Sequence, residues 1–177
     1  MAIESNLTVG ERAQRKLLIT VAEWDNGGST PAREILGTRT EDSSIEFNPD
    51  VEESTDIRGI SYTDINKTNP KQTLDPMYII GGSELSTYLT VAALTNDINA
   101  YNQKFTIYII TAFLQNGTPT TSDGKYFTVK HTGCTIQPTS LGGDSYTGMP
   151  IEIGFSNNIT QGTVDKLDDA FTFTAAS

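Results

Sequence analysis

Few side chains in this sequence have the chemistry to catalyse or to bind a metal. His131 is the only histidine and Cys134 the only cysteine among 177 residues. A catalytic or metal-binding His131 would need further His, Cys or carboxylate partners. Cys134 follows three residues later, and in a strand an odd spacing sends two side chains to opposite faces. The two are therefore expected to stay apart, with His131 packed or hydrogen-bonded beside Val129 and Phe127. One cysteine allows no internal disulfide and leaves the redox compartment open.

Carboxylates are the other candidates. Glu41, Asp42, Glu46, Asp50, Glu52, Glu53 and Asp56 fall within residues 41–56 without a single Lys or Arg. Hard cations want several oxygens, but residues 49–53, Pro-Asp-Val-Glu-Glu, lack the Asp-x-Asp-x-Asp-Gly spacing of a calcium loop. A solvated or interface-bound acidic loop is the plainer reading. Glu46 and Glu152 invite comparison with a glycosidase pair, yet acids on a wet strand face are common and no aromatic sugar platform accompanies them. Gly27-Gly28, Gly81-Gly82 and Gly142-Gly143 suit turns, not a phosphate loop. No Gly-x-Ser-x-Gly elbow occurs. The expectation is a protein without catalytic residues, cofactor or metal.

The totals point the same way. A net charge of −10 argues against a surface that grips nucleic acid, which needs clustered Lys and Arg. Such a protein can still meet DNA if its task is to let DNA pass. Only 36% of the residues are hydrophobic, so much of the chain should lie in loops, arms or polar faces. No apolar run reaches membrane-spanning length and the first residues do not read as a signal peptide, so a cytoplasmic protein without membrane contact is expected.

The elements that position these residues centre on 74–115. This stretch reads as a turn, a short strand at Met77-Tyr78-Ile79-Ile80, a helix and a long strand from Lys104 to Leu114. The strand carries Phe105, Ile107 and Ile109 on one face and Tyr108, Ile110 and Ala112 on the other, so it needs neighbours above and below. Ser83 is the expected N-cap, with Glu84 in the first turn. Leu85, Tyr88, Leu89 and Ala92 form one helical face, and the helix should end near 96–99. The class is mainly β with one central α-helix.

Around this centre, residues 17–24 read as a strand, 33–40 as a weaker one and 44–48 as a strand with one wet face. Residues 55–65 look extended and 66–73 look like loop. Sparse apolar content over 41–73 suggests a long hairpin reaching out of the domain, to be ordered by another subunit. Residues 116–124 form a reversal, 125–136 and 150–156 are strands, 157–169 is a link, and 170–174 is a last strand. Residues 1–16 read as an arm and 17–177 as one domain, with the C-terminal strand and tail over 157–177. Trp24 is expected in the core.

The order of these elements carries a resemblance. A strand pair, an acidic hairpin, Leu74-Asp75-Pro76-Met77-Tyr78-Ile79-Ile80-Gly81-Gly82 before one helix, then Asn99-Ala100-Tyr101-Asn102-Gln103-Lys104-Phe105 feeding an apolar strand, resembles the major tail protein of siphovirus-type bacteriophages. It covers residues 17–173. The resemblance implies a β-sandwich or half-barrel whose copies form rings, six to a ring, stacked into a tail tube that conducts DNA. It implies partners of the same tail: tape measure, initiator or distal tail, and terminator proteins, with assembly in the host cytoplasm. Glu46 and Glu152 would then face the lumen. Glu41, Asp42, Asp50, Glu52, Glu53 and Asp56 on the hairpin would meet Arg12, Arg15, Lys16, Arg33 and Arg39 across subunit interfaces. Two alternatives stand beside it: the inner tube of a contractile injection device, and a monomeric receptor or carbohydrate binder using Trp24, Tyr62, Tyr101, Tyr126 and Tyr146.

Overall fold

Short runs of alternating apolar and polar residues build strands, and twelve form among the described residues, which are 3–38, 40, 42–116 and 125–176 of this computed structural model. In chain order they are β1 (Ile3–Ser5), β2 (Leu18–Trp24), β3 (Ala32–Ile35), β4 (Asp42–Glu46), β5 (Pro49–Thr55), β6 (Ser61–Thr68) and β7 (Lys71–Asp75). The helix α1 (Glu84–Thr95) follows, then β8 (Phe105–Asn116), β9 (Tyr126–Pro138), β10 (Ile151–Gly154), β11 (Ile159–Val164) and β12 (Phe173–Ala175). The fold is mainly β with one helix, as expected. Of the reversal expected at 116–124, Asn116 ends β8, and residues 117–124, together with Arg39 and Glu41, lie outside the described residues.

One antiparallel sheet runs in the order β3-β2-β8-β9-β10-β7-β4, and β5 and β6 form a separate two-stranded ribbon. β9 joins its two halves: residues 126–134 pair with β8, and 135–138 pair with β10. The sheet curls into a half-barrel around a core that draws Ala22, Trp24, Phe105 and Ile107 from one half and Leu74, Ile136, Ile151 and Ile153 from the other. The opposite face of β2 and β8 carries a second core of Val21, Tyr108, Ile110, Val164 and Phe171. β8 is thus covered on both sides, as its two apolar faces require.

The helix forms where its caps predict. Ser83 accepts from the Ser86 amide, and Asn96 closes the other end in the left-handed region at φ 54°. Leu85 and Leu89 are buried against Phe105 and Ile107, each contributing roughly 1.5–3 kcal/mol by leaving water. Trp24 is buried beside Tyr88 and Phe105, with centroids 6.5 Å from each, so it is a core residue.

Several expectations change. Met77 to Ile80 is not a strand: Tyr78 makes an isolated bridge to Gly148, and the Met149 amide donates to Met77. The protruding hairpin is shorter than 41–73, because β4 and β7 belong to the main sheet. Residues 66–73, read as loop, contain the end of β6 and most of β7, with Gln72 buried. The link at 157–169 hides β11, which pairs with β9 along six residues. Within the expected arm, residues 3–5 pair with 114–116 at the end of β8.

The largest change is at Gly133. A bulge there, with φ +82°, sets Cys134 opposite Phe105 while His131 stays opposite Ile107. The extra residue restores the phase, so His131 and Cys134 share one face where strict alternation separates them.

Candidate functional site

The half-sheet of β4, β7, β10 and the end of β9 has two unlike faces. Its inner face supplies core residues. Its outer face presents Ser44, Glu46, Lys71, Thr73, Gln137 and Glu152, all polar. Glu46 and Glu152 therefore do share a face. Lys71 sits between them, directly opposite Glu46 and 2.8 Å from the Glu152 carboxylate, so the surface is mixed in charge. The sequence reading missed Lys71; its signal was the alternation Lys71, Thr73 against Gln72, Leu74.

β4 is the last strand of this half-sheet. A buried polar relay fixes its position: Thr20 Oγ1 donates to the Gln72 side-chain oxygen at 3.1 Å, and the Gln72 amide donates to Ser43 Oγ at 2.8 Å. Arg15 completes it, donating to both the Ser43 carbonyl and the hydroxyl at 2.9 Å. An edge strand held this way keeps a row of ladder groups ready for another chain.

From β4 and β7 the β5–β6 hairpin projects. Every residue of both strands is exposed. Asp56 organises the tip by accepting from the Arg58 and Ile60 amides, at 2.8 and 2.9 Å, and these bonds lower its pKa. Val51 and Ile65 face each other across the ribbon, and Ile57 is fully open to solvent. Asp50, Glu52 and Glu53 lie along β5; the side chain of Asp42 lies outside the described residues.

The expected cations divide. Arg33 is paired with Glu23, donates to the Phe171 carbonyl at 2.8 Å and stacks 4.6 Å from the Phe171 ring, so it closes the second core from within the chain. Arg15 is engaged at Ser43. Arg12 and Lys16 are exposed. Tyr108, under Arg33, has its pKa pushed up to about 12 by burial and by the Glu23 carboxylate, against the opposing guanidinium.

His131 and Cys134, brought to one face, remain packing residues. The His131 ring lies 5.0 Å from Phe155 and its Nδ1 is 2.9 Å from the Ser156 carbonyl. Burial pushes the Cys134 thiol up in pKa, away from the reactive thiolate. Of the five aromatics, Tyr101 packs against the core that holds Trp24, whereas Tyr62 is on the ribbon, Tyr126 borders the second core and Tyr146 stands edge-on to Tyr78, so they form no common platform.

No family model matches the chain. No curated protein matches it. Among solved structures it is similar, at 17% identity, to a chain of the anti-feeding prophage tube-terminating cap, over 89% of this chain and 95% of that one, with a TM-score of 0.47. It is similar, also at 17%, to a chain of the sheath/tube terminator of an extracellular contractile injection system, over 87% and 99%, with a TM-score of 0.49. A chain of the six-fold symmetrised anti-feeding prophage baseplate follows at 12%, over 88% and 97%, with a TM-score of 0.47. None of these three is described as a siphovirus-type tail tube.

Proposed function

We propose that this chain is a structural protein of a phage-tail-type particle, whose copies close into rings that stack into a tube. The observation that carries this reading is the β5–β6 ribbon, exposed along both strands and, among the described residues, paired only with itself. A lone two-stranded ribbon is marginal in water, so its partner is another copy. The open edge at β4 and the polar outer face of its half-sheet support the same reading. In a ring, β4 pairs with a neighbour and the outer faces line a water-filled bore. Glu46 and Glu152 then face the bore with Lys71 between them, an arrangement that lets viral DNA slide without a cationic grip.

Six copies to a ring, a siphovirus-type tail, and contacts with tape measure, initiator and terminator proteins after assembly in the host cytoplasm are parts of this proposal that rest on the resemblance. Negative-stain microscopy of the concentrated full-length protein tests it. Rings or tubes are expected, and a monomer at every concentration and salt would overturn it. The contractile variant predicts that a sheath protein co-purifies with the tubes.

A further inference from the structure

Resting on the tube reading, we infer that the cleft between the β9–β10 connection and the segment after β7 is the seat for Phe47 of a copy in the next ring. Pro76, Tyr78, Leu141, Tyr146 and Pro150 line it, and Asp144 is the one charged residue of its lining. Its volume of about 590 Å³ falls within the range of roughly 300–1,000 Å³ typical of pockets that hold a ligand. The connection is held in shape by backbone bonds. Gly142 and Gly148 exchange two, at 3.0 and 2.6 Å, the Met149 amide donates to the Met77 carbonyl at 2.7 Å, and the Ile79 amide donates to the Thr147 carbonyl at 3.1 Å. Any side chain at Gly143 would collide with the Tyr146 carbonyl, so the sequence itself requires this close turn. Yet the fixed loop leaves Tyr146 77% exposed and Leu141 open to solvent, with the Tyr146 ring edge-on to Tyr78 at 6.3 Å. Apolar surface held rigidly in water marks a place for a partner.

The position of the cleft on the half-sheet says which partner. β7 runs from Lys71, opposite Glu46, to Asp75, and the cleft begins at the next residue, Pro76. Phe47 follows Glu46 at the far end of the same strands, about 17 Å away across five residues, and is 66% exposed. Each copy therefore carries an apolar knob at one end of the half-sheet and an apolar cleft at the other. Rings stacked head to tail bring unlike ends together, so the knob of one ring meets the cleft of the next and the contact repeats along the tube. A phenylalanine ring seated by Tyr78 and Tyr146 gains the edge-to-face contacts that aromatic groups favour. Charge agrees with this direction. Lys67 stands at the knob end, opposite Asp50 but without an ion pair among the described residues, and Asp144 waits at the cleft.

The test measures assembly of the full-length protein. Phe47→Ala and Tyr146→Ala should each raise the threshold concentration for polymerisation about tenfold, and the double variant should do no worse than either alone, because each change empties the same contact. Both side chains lie largely in water in the free subunit, so the melting temperatures should hold. As an independent measure, Phe47→Cys protein mixed with Tyr146→Cys protein should give a disulfide-linked dimer under mild oxidation, and neither alone should, because the native Cys134 is buried. An additive loss of about a hundredfold in the double variant would mean that the two side chains meet different partners. Tubes with an unchanged threshold in both variants and no cross-link would place the stacking contact elsewhere and leave the tube reading intact. Binding of a free oligosaccharide that Tyr146→Ala abolishes, with stacking unchanged, would give the cleft to a sugar instead. Wild-type protein that never assembles would remove both readings.

Discussion

Removing the hairpin separates what folds the subunit from what joins it to others. Asn48 and Asn69 close the hairpin's base: the Asn69 amide donates to the Asn48 carbonyl, and the Asn48 side chain returns a bond to the Asn69 carbonyl, both at 3.3 Å. Replacing residues 49–68 with Asn-Gly keeps that base and supplies a two-residue turn. The deleted strands are exposed throughout, so no buried area against the body is lost. Shortening the connection by about tenfold lowers its closure entropy, at about 0.6 kcal/mol per doubling, by at most about 2 kcal/mol. For a domain of this size the melting temperature should stay level or rise by up to about 8 °C. Sedimentation and microscopy should show a folded subunit that no longer stacks. A fall in melting temperature of more than about 5 °C would mean the ribbon belongs to the fold, and unimpaired tubes would mean it does not join subunits.

Other consequences are more local. Ile107→Ala, at a position fully buried under α1, should cost about 2–5 kcal/mol in chemical denaturation, and a smaller loss would place the core elsewhere. Glu34→Ala removes the carboxylate that accepts from the Ser83 hydroxyl at 2.6 Å and the Leu85 amide at 3.1 Å, and should cost about 0.5–2 kcal/mol on the same scale. Gly162→Ala would set a methyl group against the Thr174 carbonyl and the Phe173 ring, so β12 should loosen and limited proteolysis should cut near the C-terminus. Tyr108 ionises with more difficulty folded than unfolded, so its neutral form stabilises the fold fully below pH 10. That contribution is lost as pH rises from about 10 to about 12, which ultraviolet titration against unfolding should show.

The helix and its landing site were legible because both depend on neighbours in sequence: Ser83 and Asn96 mark the ends, and the spacing of Leu85, Leu89 and Ala92 marks the buried side. The two-faced pattern of β8 was equally plain. β11 escaped notice because Ile-Thr-Gln-Gly-Thr-Val has a glycine where a packed side chain would show the period, and Phe173 fills that gap from another strand. The hairpin's bounds were blurred because β4 and β7 carry polar residues on one face, which looks the same whether the other face meets a core or water. The site's fixings were out of reach for another reason. Glu34 reaches α1 from 49 positions away, and Gln72 meets Thr20 from 52 away, and no local period reports such contacts. Gly133 did leave a signal, since glycine inside a strand pattern often marks a bulge.

That single glycine divides β9 into two reading frames. Ahead of it the strand follows β8; beyond it the same strand contributes Ile136 to the interior and Gln137 to the polar face. Deleting one residue there would turn the downstream half inside out, sending Ile136 to water and Gln137 into the oil. Lineages of this protein should therefore tolerate changes of length in the hairpin far more readily than the gain or loss of one residue at position 133.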